Sequence, residues 1–372
     1  MTELTKEQVT EALEKVIDPE IGRPISELNM IGEIEITDTE LRVQILLTIA
    51  GCPMRGDIEA QARRALNEVK GERELVLTMT PMTDEQRSEL REKLSGPTRE
   101  NPFTKPGSLT RIYAITSGKG GVGKSSITTN LAAAMAAQGL KVGVLDADIY
   151  GFSIPRMLGV ENAPTIIDGM IVPPLAHGVK VISIGMFVPE GEPVVWRGPM
   201  LHRALQQFLT DVHWGDLDAL LLDLPPGTGD VAISLAGLLP DSEIIVVTTP
   251  QVAAAEVAGR AGAIAAQTHQ RVLGVIENMS YLPGPDGTRV ELFGSGGGEQ
   301  VSNELSELLG YQVPLLGMVP IDIALRQGAD SGQPAATASG DSESGRTLTE
   351  IAQQLAKRAR GLAGRQLGVQ PL

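Results

Sequence analysis

One glycine-rich octapeptide constrains this chain more than any other feature. Residues 118–125 read GKGGVGKS, which fits the pattern GxxxxGK followed by Ser or Thr. An apolar run at 112–116 precedes the octapeptide, and a helical pattern through 131–137 follows it. Glycines let backbone N–H groups turn inward around a phosphate, and the N-terminus of a helix adds a favourable partial charge. The octapeptide therefore predicts a nucleotide phosphate loop between a strand and a helix.

The side chains of this loop have separate expected roles. Lys124 is predicted to reach the β- and γ-phosphates of a nucleotide, and Ser125 is predicted to ligate Mg²⁺. The full set of predicted nucleotide contacts in the loop is Gly118, Lys119, Gly120, Gly121, Val122, Gly123, Lys124, Ser125 and Ser126.

The pattern around the loop predicts an α/β fold. Apolar runs alternate with helical stretches, and the runs lie at 112–116, 142–146, 181–184, 219–223, 244–248, 272–277 and 315–319. Aromatic residues make up only 3% of the chain, so the core must consist mainly of aliphatic side chains. Alternation of this kind predicts a doubly wound, mostly parallel sheet, which binds ligands at the carboxyl ends of its strands.

Three aspartates stand at the ends of two predicted strands. Asp146 and Asp148 follow the run at 142–145, and Asp223 ends the run at 219–222. Mg²⁺ prefers oxygen ligands and retains several waters, so carboxylates at this edge suit a magnesium nucleotide. The alternative for any one of them is an ordinary turn or helix cap.

The first 95 residues predict a separate small α/β domain. A capping box at 5–8 opens a helix to about residue 17, strands follow at 31–36 and 41–48, a helix after Cys52 ends near residue 69, and a strand covers 74–79. Residues 96–108 contain three prolines and are predicted to be a linker. The predicted domains are thus 1–95 and 109–372.

The C-terminal part predicts a surface loop at 329–346 and a helix at 347–363. Apolar side chains at helical spacing (Leu348, Ile351, Leu355 and Leu362) favour a closing helix packed on the sheet. The basic residues Lys357, Arg358 and Arg360 leave a membrane-surface helix as the alternative.

Composition and charge argue against several classes of function. A net charge of −15 disfavours nucleic-acid binding. The polar start lacks the apolar core of a signal peptide, and no run reaches the roughly 18 apolar residues of a membrane span. A single cysteine, Cys52, suits a reducing compartment, so we expect a cytoplasmic protein without stable membrane association. Cys52 is either a small buried residue or a thiolate whose pKa is lowered by a helix N-terminus and which binds iron or a cluster.

The lysine directly after the first glycine, Lys119, makes the loop resemble the deviant Walker A motif of the MinD/ParA and nitrogenase iron-protein superclass. This resemblance implies an ATP-hydrolysing homodimer in which Lys119 reaches the partner's nucleotide. It also implies that Asp223 holds Mg²⁺ through water, that Asp148 orients the attacking water, and that Asp146 joins the same network.

The base contacts follow from the same resemblance. Asn278 is placed to read adenine, and Pro320 and Asp322 match a second loop beside the base. The Asn/Thr-Lys-x-Asp signature of guanine-binding relatives is not seen in the sequence, so ATP is favoured. An ordinary turn asparagine is the alternative reading of Asn278.

Longer strings narrow the resemblance to the Mrp/ApbC family, whose members are ATP-dependent iron–sulfur cluster carriers. They are DADIYGFSIP at 146–155, WRGPM at 196–200, LDLPPGTGD at 222–230 and ENMS at 277–280. The N-terminal part, with DPE at 18–20 and TIAGCP at 48–53, resembles the SufT/PaaD-like domain of iron–sulfur assembly factors. The family's Cys-x-x-Cys is replaced here, because Gly284 and Gly287 stand about where the cysteines would lie.

Three functions remain open at this point. The first is an ATP-dependent iron–sulfur carrier or assembly factor with iron–sulfur client proteins, in which any cluster is held through Cys52 or by a partner. The second is a nucleotide-switched scaffold that carries no metal, which the missing cysteine pair favours. The third is a MinD-like membrane positioner, which depends only on the C-terminal helix.

Overall fold

The computed structural model describes residues 4–49, 52–95, 100–149, 151–188, 198–227, 229–251, 254–284, 286–338 and 342–357. The chain forms two compact units. One contains residues 1–99, 162–175 and 211–215, and the other contains residues 100–161, 176–210 and 216–372.

The larger unit is built on an eight-stranded sheet. Its strands are β4 (Arg111–Ser117), β5 (Val142–Asp146), β8 (Leu175–Ala176), β9 (Val179–Ser183), β10 (Ala219–Asp223), β11 (Glu243–Thr248), β12 (Val272–Asn278) and β15 (Leu315–Val319). The strand order is β15-β12-β11-β4-β10-β5-β9-β8, and every pair from β15 to β9 is parallel. The predicted mostly parallel α/β sheet is confirmed.

The helices of this unit form two groups, and each helix contacts other members of its own group. The first is α4 (Lys124–Ala137), α5 (Ile154–Met157), α10 (Ile323–Ser331) and α11 (Glu343–Lys357). The second is α6 (Gly198–Thr210), α7 (Asp230–Leu238), α8 (Ala254–Thr268) and α9 (Gly297–Leu309). A short 3-10 turn covers Ile184–Phe187, and β13 (Leu282–Pro283) pairs with β14 (Arg289–Val290) after β12.

Helix α11 closes the larger unit. Leu348, Ile351 and Leu355 are buried, and the helix packs on α4 and β15. The carbonyl of Leu355 accepts hydrogen bonds from Tyr113 Oη at 3.3 Å and from Arg111 Nη1 at 3.0 Å. Residues 343–357 therefore form the closing helix rather than a membrane-surface helix, while Arg358, Arg360 and Leu362 lie outside the described residues.

The surface loop predicted at 329–346 is wrong at both ends. Helix α10 continues to Ser331, and α11 already begins at Glu343. Asp322 explains the early start of α11, because its Oδ2 accepts hydrogen bonds from Ser342 Oγ at 2.7 Å and from Ser344 Oγ at 2.9 Å. Its other oxygen, Oδ1, accepts a hydrogen bond from the backbone N–H of Ala324 at 2.8 Å. One carboxylate thus caps α10 and also anchors the start of α11.

The smaller unit contains a three-stranded sheet. Its first strands, β1 (Ile31–Ile36) and β2 (Glu40–Leu47), are antiparallel, and β3 (Glu74–Pro81) runs parallel to β2. Helices α1 (Lys6–Leu13), α2 (Arg55–Val69) and α3 (Asp84–Ser95) complete the N-terminal part. The predicted capping box at Thr5 and Gln8 is present. Helix α1 ends earlier than predicted, because residue 17 forms a β-bridge with Pro24.

A second hairpin of this unit comes from a distant stretch of sequence. Strands β6 (Thr165–Ile167) and β7 (Met170–Val172) pair around a turn in which Asp168 and Gly169 have φ angles of 45° and 78°. An Asp-Gly pair between two short apolar runs is a hairpin signal, and the prediction from the sequence does not include this hairpin. Ile171 also bridges Val212, so residues 211–213 run beside the hairpin.

The predicted linker has contacts of its own where it is described. Phe103 is buried, and Asn101 Nδ2 donates to the carbonyl of Leu238 at 3.0 Å. Residues 100–108 therefore belong to the larger unit, as the division into compact units also indicates. In the described part of the chain, every helix is too short or too polar to span a bilayer.

Candidate nucleotide-binding site

The phosphate loop depends on glycine for its conformation. Gly121 and Gly123 both have a φ of 80°, a region that glycine enters at little cost. Gly118 lies against Val257, whose Cγ2 would be 2.7 Å from a Cβ at that position. Gly123 lies against the Asn278 amide closely enough that a Cβ would collide with Nδ2. The loop thus follows a path that larger residues would block.

Lys124 lies at the centre of a buried network with Asp223. Its Nζ is 2.7 Å from Asp223 Oδ2, and the two residues are 6% and 0% exposed. Ser125 Oγ donates to the same Oδ2 at 2.6 Å, and Thr128 Oγ1 donates to Oδ1 at 2.6 Å. The predicted phosphate lysine, magnesium serine and strand-end aspartate are therefore in direct contact.

Asp146 and Asp148 lie at the same edge of the sheet. Asp148 Oδ2 is 3.9 Å from Lys124 Nζ, and the backbone N–H of Asp148 donates to Asp146 Oδ1 at 3.2 Å. Ser183 Oγ donates to Asp146 Oδ2 at 3.0 Å. Burial, and next the nearby Asp223 carboxylate, raise the pKa of Asp146 above its ordinary value. This edge thus concentrates acidic groups around one buried lysine.

Lys119 points away from the buried network. Its Nζ donates to Gln251 Oε1 at 2.7 Å, and the residue is half-buried. The start of the loop is also held by Arg260, which donates to the carbonyl of Gly118. A neutral amide thus holds the Lys119 ammonium at the entrance to the loop.

Asn278 joins the end of β12 to the phosphate loop. Its Nδ2 donates to the carbonyl of Val122 at 2.8 Å, and the residue is 2% exposed. Its Oδ1 is buried and has no hydrogen-bond partner in the described structure. An orphaned buried acceptor costs about 1–3 kcal/mol, so a donor from a ligand would relieve it.

The second predicted base loop lies beside Asn278. The backbone N–H of Ile321 donates to the carbonyl of Tyr281 at 2.7 Å, and the N–H of Ser280 donates to the carbonyl of Val319 at 3.0 Å. Pro320 is buried in this pairing, and the Asp322 carboxylate is occupied as a helix cap. Any base contact of Asp322 would therefore come from its backbone.

Cys52 lies in the other unit, and of its two predicted readings the small buried residue is confirmed, while the thiolate with a lowered pKa is wrong. Amides of Met54 and Arg55 at the start of α2 do hydrogen-bond the sulfur, as the helix argument requires. Burial, which leaves Cys52 8% exposed, nevertheless raises the pKa of the thiol, and the Glu20 and Asp18 carboxylates add to the increase. Within the described residues, no group of three or more His, Cys, Asp or Glu side chains is arranged to hold a metal ion.

The turn that contains Gly284 and residues 286–288 is built around its glycines, at the positions where the sequence resemblance implies cysteines. Thr288 Oγ1 and Asp286 Oδ1 crowd the position that a Cβ at Gly284 would take. Gly287 has a φ of 81°, and Asp286 accepts hydrogen bonds from the Thr288 side chain and N–H. This compact turn supplies no thiol, and cysteine side chains at 284 and 287 would require it to change shape.

Two polar residues of the site were not predicted. Thr128 lies one helical turn after Lys124 on the same face of α4, so the i to i+4 spacing could have identified it. Ser183 ends β9, which places it at the ligand-binding edge beside Asp146. The alignment of strand ends in a parallel sheet is the signal that could have found it.

The residues present fit a magnesium nucleotide. The glycine-lined loop leaves its backbone free of side chains where a phosphate would approach, Ser125 and Asp223 offer oxygen donors, and Lys124 offers a buried cation. Mg²⁺ would be held by Ser125 and Asp223 and would neutralise charge on the phosphates. Fold and site together define a P-loop nucleotide-binding protein with a lysine after the first glycine.

Comparison with known proteins narrows this class. A family model described as NUBPL iron-transfer P-loop NTPase matches residues 108–356, and one described as iron-sulfur cluster assembly protein matches residues 6–77. The chain belongs to this family of iron-transfer P-loop NTPases, and the resemblance drawn from the sequence is confirmed.

Full-length relatives extend the match to both units. An iron-sulfur cluster carrier protein of Mycobacterium tuberculosis is 59% identical over 97% of this chain and 95% of its own length. A protein of the same name from Synechocystis is 40% identical over 95% of this chain and 97% of its own length. A nucleotide-binding protein from Archaeoglobus fulgidus, solved in complex with ADP, is 37% identical, with a TM-score of 0.54 over 63% of this chain and 92% of that chain.

Proposed function

We propose that this protein binds and hydrolyses Mg·ATP and uses the cycle in the assembly or delivery of iron–sulfur clusters. The observation that carries the nucleotide part is the contact of Lys124, Ser125 and Thr128 with one buried carboxylate, Asp223. The iron–sulfur part is supported by the family and by the names of the full-length relatives.

The residues of the site have distinct roles in this proposal. Amides of residues 118–126 bind the phosphates, and Lys124 leaves Asp223 to contact the β- and γ-phosphate oxygens. Asp148, at the edge of the acidic cluster, orients the attacking water, and Asp146 fixes the backbone of Asp148. Mg²⁺, held by Ser125 and Asp223, would supply charge neutralisation on the phosphates. Asn278 Oδ1 accepts a hydrogen bond that the exocyclic amino group of adenine donates.

The proposal includes a homodimer that encloses two nucleotides. Among the described residues, Lys119 Nζ has the neutral Gln251 amide as its hydrogen-bond partner, so its charge is available to a nucleotide on the partner subunit. In that position the ammonium would stabilise the charge that develops as the γ-phosphate leaves.

A second candidate is a nucleotide-switched scaffold in the same process that carries no metal itself. The glycine turn at 284–287 favours it, because that turn offers no cluster ligand. The buried Cys52 thiol, with its raised pKa, favours it as well. In either case the cargo would need ligands from a partner protein.

Calorimetry tests the nucleotide part. Titrating Mg·ATP into the protein is expected to release heat and saturate at one nucleotide per chain, and phosphate release is expected to depend on Mg²⁺. GTP, which lacks the exocyclic amine at the position Asn278 would contact, is the matched control and is expected to bind more weakly. Folded protein that gives no heat with Mg·ATP would rule the proposal out.

Anaerobic reconstitution with iron and sulfide tests whether this chain holds a cluster without a partner protein. We expect the isolated chain to stay colourless with or without Mg·ATP, because the described residues lack a cluster ligand set. Cys52→Ala is expected to match the wild type in iron and sulfide content. A coloured wild-type protein that loses its iron in Cys52→Ala would instead establish this chain as a cluster carrier in its own right.

A further inference from the structure

The β6–β7 hairpin belongs to the sequence of the P-loop domain but packs in the N-terminal unit. It lies within residues 108–356, the range that matches the iron-transfer NTPase family. Residues 162–175 nevertheless group with residues 1–99. Ile167, Met170 and Val172 are buried in the same hydrophobic core as Val9 and Cys52. Part of the N-terminal core is therefore supplied by the P-loop domain sequence.

The two faces of this hairpin differ sharply. Ile167 is 1% exposed, whereas its neighbour Ile166 is 56% exposed. Successive side chains of a strand point to opposite faces, so one face of β6 packs in the core and the other is exposed to solvent. The hairpin offers a matched pair of isoleucines, one on each face.

The buried face also reaches the polar cluster around Cys52. The Thr165 hydroxyl hydrogen-bonds the Glu20 carboxylate, and Glu20 in turn lies near the Cys52 thiol. The turn of the hairpin is fixed by an ion pair between Arg91 Nη1 and Asp168 Oδ2 at 3.1 Å. Glu20 thus stands between the hairpin and the only thiol of the chain.

The hairpin is also connected along the chain to the acidic cluster of the phosphate site. The segment that contains it leaves the sheet at Asp146 and returns through β8 to β9, which ends at Ser183. These two residues are register partners, and their side chains are hydrogen-bonded at 3.0 Å. A rearrangement of Asp146 and Asp148 around Mg·ATP would therefore act on both ends of this segment.

We propose that the β6–β7 hairpin is a clasp that closes the N-terminal unit over Cys52, and that nucleotide binding changes how firmly the clasp docks. The clasp itself is independent of the function proposed above, whereas its control by nucleotide rests on that function. A hairpin that docks through a few side chains can open locally while the rest of its unit stays folded. The thiol would then become accessible only in the open state.

Alkylation of Cys52 in the full chain tests the clasp. Because the chain has one cysteine, the mass gained from N-ethylmaleimide reports this thiol alone. Ile167→Ala is expected to raise the alkylation rate at least about tenfold, because it removes buried contacts of the docked face. Ile166→Ala, the same substitution on the exposed face, is expected to stay within about twofold of the wild type. Equal rates in the two variants would overturn the clasp.

A second variant and a second measurement separate opening from unfolding. Thr165→Val keeps the side-chain volume but removes the donor to Glu20, and it is also expected to raise the rate. Hydrogen exchange of the β2 amides is expected to stay slow in both Ile167→Ala and Thr165→Val. If the β2 amides exchanged as fast as Cys52 is alkylated, Cys52 would be exposed by unfolding of the whole unit. That result would overturn the proposal.

Control by nucleotide is tested on the wild type with Mg·ATP. We expect saturating Mg·ATP to change the alkylation rate at least about threefold and to leave the rate of Ile167→Ala unchanged. An unchanged wild-type rate, in protein that calorimetry finds saturated with nucleotide, would overturn the coupling. If calorimetry detects no binding, the proposed nucleotide function fails, while the comparison of Ile166→Ala with Ile167→Ala still decides the clasp.

Discussion

Replacing Lys124 with alanine is expected to weaken Mg·ATP binding by at least about a hundredfold. Its ammonium is the cation at the centre of a site that also contains Asp146, Asp148 and Asp223. Without it, a triphosphate would meet these acidic groups with no compensating buried charge. Leaving a buried charge without its partner costs about 3–5 kcal/mol, and 1.4 kcal/mol is a factor of ten in affinity.

The measurement is calorimetric titration of Mg·ATP, with thermal melting to establish that the variant is folded. Lys141→Ala is the matched control, because it removes the same charge from an exposed side chain just before β5, at the opposite edge of the sheet. We expect its affinity to stay within about twofold of the wild type. A folded Lys124→Ala protein with wild-type affinity would place the phosphates somewhere other than residues 118–125.

Replacing Lys119 with alanine is expected to lower ATP turnover by about a thousandfold while changing affinity only severalfold. A cation supplied across an interface in this way contributes roughly 10³–10⁵ to the rate of phosphoryl transfer. In the single chain its partner is the neutral Gln251 amide, so its removal leaves no buried charge uncompensated. Phosphate release at saturating Mg·ATP measures the effect, and Gln251→Ala is the control, with a far smaller loss expected.

Mixing the two lysine variants tests whether Lys119 acts across a dimer. The Lys124→Ala variant is expected to bind nucleotide very weakly but keeps Lys119. The Lys119→Ala variant is expected to bind nucleotide but lacks the cation that reaches the partner's site. A mixed dimer therefore contains one complete site, and we expect the mixture to regain turnover that neither variant has alone. A mixture as inactive as its components would show that Lys119 does not complete the partner's site.

Much of the larger unit could be predicted because its signals are local. The phosphate loop needs only eight consecutive residues, and the strands β5, β10 and β15 have the predicted bounds. Parallel strands end at one edge, so their order along the chain is enough to bring Lys124 and the aspartates together. The contact between Lys124 and Asp223 follows from that rule.

The errors arose where a residue's partners lie far away in the sequence. The start of α11 depends on Asp322, and a local reading of the serines at 342 and 344 gives a loop. The helix start lowers the pKa of Cys52 as expected, but burial outweighs it. The Asp-Gly pair is a local signal for the β6–β7 hairpin. No local sequence signal indicates that this hairpin packs in the N-terminal core.

The sequence by itself determined the phosphate loop, the strand-end carboxylates and the lack of a cysteine between residues 281 and 288, because each depends on adjacent residues. Tertiary structure alone decided that the β6–β7 hairpin completes the N-terminal core, that Asp322 joins two helices, and that Cys52 is a buried thiol with a raised pKa. The physical reason is that burial and long-range hydrogen bonds depend on which distant segments pack against one another. Local sequence patterns do not specify those contacts.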